Sequence, residues 1–88
     1  MKILIHIPME DYNKFVQRCD ASRPEYETLK NGVIKRDGKK RVSVEILCNV
    51  EDAKMLLQLA TEICPLAAPY INESISLARQ PQSIVRHA

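Results

Sequence analysis

The sequence predicts a small α+β domain, a βαββα two-layer sandwich in which a three-stranded antiparallel sheet carries its helices on one face. Three observations favour this class: an alternating apolar strand at the N-terminus, an Asp37-Gly38 pair between two strand-like runs, and helical spacing of apolar residues after each of these units. The 88 residues fall within the size range of one domain. We therefore expect residues 1–79 to form that domain and residues 80–88 a flexible tail.

The first strand is predicted by three isoleucines that alternate with Leu4 and His6 and end at Pro8. Apolar residues take helical spacing over residues 9–19, which predicts an amphipathic helix. A shorter helix is expected next, because Asn31-Gly32 is typical of a helix C-terminus.

The Asp37-Gly38 pair predicts a hairpin with a two-residue turn. This turn sets Arg36 opposite Lys39 and, counting outward, Val33 opposite Val42. Val33 would then lie on the core face of the sheet.

Residues 50–64 carry a broad apolar stripe and give the clearest helix prediction in the chain. A further helix is expected to begin near Pro69, since proline suits a first helical turn. The simplest arrangement of the strands is the order 1-3-2, in which the first and second strands are parallel and the third lies between them.

Composition narrows the class of protein. The apolar runs are too short to span a bilayer, so no membrane partner is expected, and the N-terminus lacks the features of a signal peptide. Cys19, Cys48 and Cys64 are odd in number and widely spaced, which indicates reduced core thiols and a cytoplasmic location. The only two glycines are explained by turns, so a glycine-rich phosphate loop is not expected.

The face of the sheet away from the helices is the first candidate site. Alternation places Leu4, His6, Ile34 and Leu47 there, which is an apolar set for an uncovered face. We interpret the chain as a small cytosolic interaction module, either a homo-oligomer or bound to a protein partner, without catalytic activity. The alternative is that residues 66–78 fold back and cover this face.

The hairpin is the second candidate site, through five cations: Lys35, Arg36, Lys39, Lys40 and Arg41. With the single acid Asp37 it carries +4, which leaves −2 for the rest of a chain whose net charge is +2. Such a turn could contact phosphates, which makes a nucleic-acid-binding accessory protein the second functional hypothesis. The competing interpretation is a solvated tip whose lysines prevent edge-to-edge pairing.

Catalysis is the least favoured hypothesis, and neither a cofactor nor a metal nor a small-molecule substrate is expected. His6 and Cys48 are predicted on opposite faces of the sheet, so they should not share a metal. His6 with Glu45, on the same face, is the one titratable pair that an active site completed across a dimer interface could use.

Overall fold

The computed structural model describes residues 2–78, and it has three strands and four helices in this part of the chain. In chain order they are β1 (Lys2–Pro8), α1 (Met9–Arg18), α2 (Pro24–Lys30), β2 (Val33–Asp37), β3 (Lys40–Asn49), α3 (Val50–Ile63) and α4 (Ala68–Ala78). The predicted tail of residues 80–88 lies outside the described residues. No helix among residues 2–78 has the length and apolarity needed to cross a membrane.

The sheet confirms the predicted fold class. Its order is β1-β3-β2, with both pairs of neighbouring strands antiparallel. Leu4 lies opposite Leu47, and His6 lies opposite Glu45. Directly opposed residues share a face, so these four side chains point to the same side of the sheet.

The core lies on the other side of the sheet, between the strands and the helices. The three alternating isoleucines of β1 are buried there with the matching residues of β3, Val44, Ile46 and Cys48. Each helix contributes a fully buried side chain: Phe15 of α1, Leu29 of α2, Leu56 of α3 and Ile71 of α4. The predicted amphipathic stripes therefore form one continuous core.

The helices begin where the sequence changes from strand to helix periodicity. α1 follows Pro8 directly, and α2 has Pro24 in its first turn, where the missing N–H of proline has no cost. α3 follows Asn49 with Glu51 and Asp52 in its first turn, near the positive end of the helix dipole.

The hairpin pairing differs from the prediction. Asp37 pairs with Lys40, so the turn residues are Gly38 and Lys39 rather than Asp37 and Gly38. Gly38 has φ +64° as the first central residue, which is the place of glycine in a type II′ turn. Arg36 consequently lies opposite Arg41 instead of Lys39.

A bulge then reverses the two faces of β2. The register shifts between Lys35 and Arg36, so that Val33 lies opposite Glu45 and not opposite Val42. Moving the turn by one residue would by itself shift each pairing by two positions, so every side chain of β2 would stay on its predicted side of the sheet. The bulge adds one extra residue in β3, and this moves the side chains of β2 before the bulge to the opposite side. The placement of Ile34 on the face of Leu4 was therefore wrong, since Ile34 lies opposite the buried Val44.

α4 does not cover the sheet face. It packs along β1 and against α3, on the side of β1 away from β3. The backbone N–H of His6 donates a hydrogen bond to Ser74 Oγ at 3.2 Å, and this hydroxyl donates to the Tyr70 carbonyl at 2.9 Å. The alternative in which residues 66–78 cover the open side is thus wrong for the described residues, because α4 closes the edge of β1 instead.

Candidate interaction surface

One face of the sheet lacks a covering helix among the described residues, and we call it the open face. Its side chains follow from the observed pairing, because alternate residues of each strand share a side. They include Lys2, Leu4 and His6 of β1, Val33 and Lys35 of β2, and Ser43, Glu45 and Leu47 of β3.

Exposed apolar side chains are concentrated on and beside this surface. Five of the nine large apolar side chains that are exposed in residues 2–78 lie on the open face or its rim. Their exposed fractions are 43% for Leu4, 62% for Val33, 64% for Leu47, 38% for Tyr70 and 60% for Leu77. Leu4 and Leu47 are direct cross-strand neighbours, so these exposed side chains form a patch rather than isolated positions.

A polar row lies next to the leucine pair. His6 Nδ1 is 3.1 Å from Glu45 Oε2, and Lys35 Nζ is 3.7 Å from Glu45 Oε1. One carboxylate on the central strand therefore joins cationic or donor groups from both outer strands. Since the His6 and Lys35 side chains are both more than half exposed, this row contributes little to stability.

The rim formed by α4 turns the edge of the open face into a shallow groove. Its volume is about 360 Å³, and its lining residues are His6, Tyr70, Glu73, Ser74 and Leu77. A neighbouring groove brings Leu4 and Leu77 together. The structure thus brings together His6 and Glu45, the pair singled out for catalysis, but only His6 of the two lines the groove.

The cations of the basic hairpin, residues 35–41, are all exposed. Lys35 is the only one of the five that forms an ion pair within the described part of the chain. Arg36 and Arg41 lie directly opposite each other across the hairpin. Like charges in this position destabilise a strand pair, whereas the neighbouring pair at the tip, Asp37 and Lys40, has opposite charges.

The three cysteines are buried and unpaired, as the sequence predicts for core thiols. Burial raises the pKa of the Cys19 thiol above its usual 9.0, and the carboxylate of Glu25 raises it further. Burial likewise raises the pKa of the Cys48 thiol, with a smaller contribution from Asp52. Both thiols are therefore poor nucleophiles at neutral pH. Among residues 2–78, no three His, Cys, Asp or Glu side chains are grouped so that they could hold a metal ion.

Sequence reasoning placed Leu4, His6 and Leu47 on the side where the structure has them, but it missed the members of the surface on β2 and α4. Val33 and Lys35 were missed because the bulge that exchanges the faces of β2 has no clear signal in the sequence. Tyr70 and Leu77 were missed as surface residues, although their spacing of seven places them on one side of a helix.

The chain matches no protein-family model, no curated protein and no solved structure.

Proposed function

We propose that the protein is a small interaction module of the cytosol that acts as a homodimer, with the open faces of two copies packed against each other. The observation that carries this proposal is the clustering of exposed apolar side chains on and beside the open face, with Leu4 and Leu47 at its centre. Removing such a patch from water is the usual driving force for association of protein surfaces.

The dimensions of the open face suit a weak dimer. The area of the open face follows from strands about 4.8 Å apart and from the seven residues of β1 at about 3.3 Å each. Together with the rim of α4, this area is roughly 500 Å² per copy. Two copies would bury on the order of 1,000 Å² in total, which is the lower bound for a specific interface. We therefore expect association in the micromolar range.

The charges of the open face are compatible with a two-fold axis along the row formed by Leu4 and Leu47. Lys2 precedes this row and Glu45 follows it, on the same side of the sheet. Such an axis would set the leucines of both copies against each other and would place Lys2 of one copy near the carboxylate of Glu45 in the other. Interfaces between identical copies are self-complementary in this way.

The test is the mass of the protein in solution as a function of concentration, measured by sedimentation or light scattering. We expect the mass to rise from one chain to two through the micromolar range. Leu47→Lys should hold it at one chain, because a charge in the middle of the interface would lose its water without a partner.

Met55→Lys is the matched control, since Met55 is also exposed but lies on α3 beside Glu25 and Glu62. This variant should associate like the natural chain. A chain that stays monomeric up to high micromolar concentration would refute the dimer, as would a dimer that survives Leu47→Lys.

A further inference from the structure

We propose that the outer edge of β2 accepts an extended acidic peptide segment, which pairs with it as a fourth strand and places carboxylates against the basic hairpin. This binding site differs from the open face, although both include Lys35, because a strand adds in the plane of the sheet and a second sheet packs above it. The proposal therefore does not depend on the homodimer.

The two edges of the sheet are not equivalent. The outer edge of β1 is covered by α4. The Ser74 hydroxyl of this helix accepts a hydrogen bond from the His6 N–H, which points away from β3. β2 is the other outer strand, and all five of its residues are exposed. An exposed edge of this kind is a template for main-chain pairing with another strand.

The observed hydrogen bonds define which backbone groups of β2 point outward. Because the N–H of His6 points away from β3, His6 and Glu45 form a non-hydrogen-bonded pair between β1 and β3. The backbone groups of Glu45 must then point toward β2 and bond with Val33. By the same alternation, the N–H and C=O of Ile34 point outward, away from β3.

The charge around this edge defines the chemistry of the partner. The hairpin carries five cations and one acid, and Arg36 lies directly opposite Arg41. Such a like-charged cross-strand pair is relieved by an anion between or beside the two guanidinium groups. An extended segment whose carboxylates alternate along one side would meet this need, since side chains of a strand repeat every two residues.

A peptide fits this site better than a single-stranded nucleic acid. Binding of unpaired bases relies on aromatic side chains on which the bases stack. The four aromatic residues, Tyr12, Phe15, Tyr26 and Tyr70, all lie in helices. The outward N–H and C=O of Ile34, in contrast, match the backbone of a strand.

The probe is a labelled heptapeptide of alternating valine and glutamate, with both ends blocked, and its binding is measured by fluorescence anisotropy. We expect saturable binding that weakens at least tenfold when salt is raised from about 0.05 M to about 0.5 M. A peptide with lysine in place of glutamate should not bind. A peptide of the same sequence with an N-methyl group on every backbone amide should also fail to bind, because neither of its edges has donors for pairing.

Two variants of one residue separate backbone pairing from simple charge attraction. Ile34→Pro removes the outward N–H without removing a bond to β3, and it should weaken peptide binding at least tenfold. Ile34→Ala keeps that N–H and should bind within about twofold of the natural chain. If Ile34→Pro does not fold, as judged by circular dichroism, the N-methylated peptide still tests the same point on the natural chain.

Charge reversal provides the second pair of variants. Lys39→Glu with Lys40→Glu should weaken peptide binding at least tenfold, whereas Lys54→Glu, at an exposed position of α3, should leave it unchanged. The proposal is overturned if the N-methylated peptide binds as well as its parent. It is equally overturned if an oligonucleotide binds more tightly than the peptide and its binding is insensitive to Ile34→Pro, which would identify the hairpin as a phosphate contact.

Failure of the proposed peptide site can be distinguished from failure of the proposed homodimer. Leu47→Lys lies on the open face and should bind the peptide as the natural chain does, whatever its oligomeric state. Peptide binding that disappears in this variant would contradict the separation of the two sites and overturn the placement at the β2 edge.

Discussion

Tyr12 connects two helices through one side chain. Its hydroxyl donates a hydrogen bond to the Leu29 carbonyl at 2.8 Å, in the last turn of α2, where carbonyl groups lack helical partners. Burial raises the pKa of Tyr12 above its usual 10.0, and the neighbouring Tyr26 raises it further. The phenol is thus held in its neutral, donating form.

We expect Tyr12→Phe to lower the free energy of unfolding by about 1 kcal/mol at neutral pH, because it removes this hydrogen bond. A raised pKa in the folded state means that the stabilisation by Tyr12 is complete below pH 10.0 and is lost as the pH rises through the folded pKa. Urea unfolding of both proteins between neutral and strongly alkaline pH provides the measurement.

The comparison with Tyr12→Phe isolates this effect, since Cys19 and Cys48 also have raised pKa values and contribute to the alkaline decline of both proteins. The difference in stability between the two chains should shrink above pH 10.0. A difference that stays constant with pH would show that ionisation of Tyr12 is not linked to folding.

At the scale of elements, the entry into β2 depends on a close approach at Gly32. A Cβ added there would overlap Val44 Cγ1 and lie 3.3 Å from Ile46 Cγ1. The backbone before β2 therefore lies directly on the core face of β3. Glycine is required here for space and not for an unusual backbone conformation, in contrast to Gly38 with its φ of +64°.

We predict that Gly32→Ala lowers the free energy of unfolding by about 1–3 kcal/mol, because the added methyl group overpacks the core. Val44→Ala removes the atom that the new methyl group would meet. In the Val44→Ala background the same substitution at Gly32 should therefore cost clearly less, a coupling measured with a double-mutant cycle from urea unfolding. If the losses in the free energy of unfolding for Gly32→Ala and Val44→Ala simply add in the double variant, the strain does not arise from contact with Val44.

The elements that the sequence predicted well are those with a strong local signal. The alternation in β1 and the apolar stripe of α3 identify these elements, because each pattern requires one side to be buried. The sheet order was then predicted as the simplest arrangement of the elements along the chain. The register of β2 required more than local information. Gly38 suits either position of a two-residue turn, and the bulge that exchanges Val33 and Ile34 depends on packing against β3.

The position of α4 also could not be derived from periodicity. Its buried residues Ile71 and Ile75 predict a helix with one apolar side, but that side would suit the face or the edge of a sheet equally. At that edge the N–H of His6 donates a hydrogen bond to Ser74, a residue 68 positions away along the chain. For this reason Tyr70 and Leu77, at the rim of the open face, were missed.

At the scale of the whole molecule, the three cysteines lie in one core but belong to different parts of the chain. Cys19 follows α1, Cys48 lies in β3 and Cys64 follows α3, and all three are buried. If this core unfolds cooperatively, the thiols become reactive only in the unfolded state.

We expect Cys48 and Cys64 to react with a thiol reagent at neutral pH on the order of a thousandfold more slowly than a free thiol, as stability of about 4–5 kcal/mol implies. Their labelling rates, followed by mass spectrometry, should rise together as urea is added. Rapid labelling of one thiol while the other stays protected would show that the described residues unfold in parts.

The hydroxyl of Ser74 on the edge of β1 has a consequence for aggregation. Cross-β fibrils grow because every added chain offers a new unpaired strand edge. In this sheet α4 covers the edge of β1, so two copies joined through their β2 edges would have only covered edges on the outside. Growth by strand addition would end at that pair, which makes fibril elongation self-limiting while α4 remains in place.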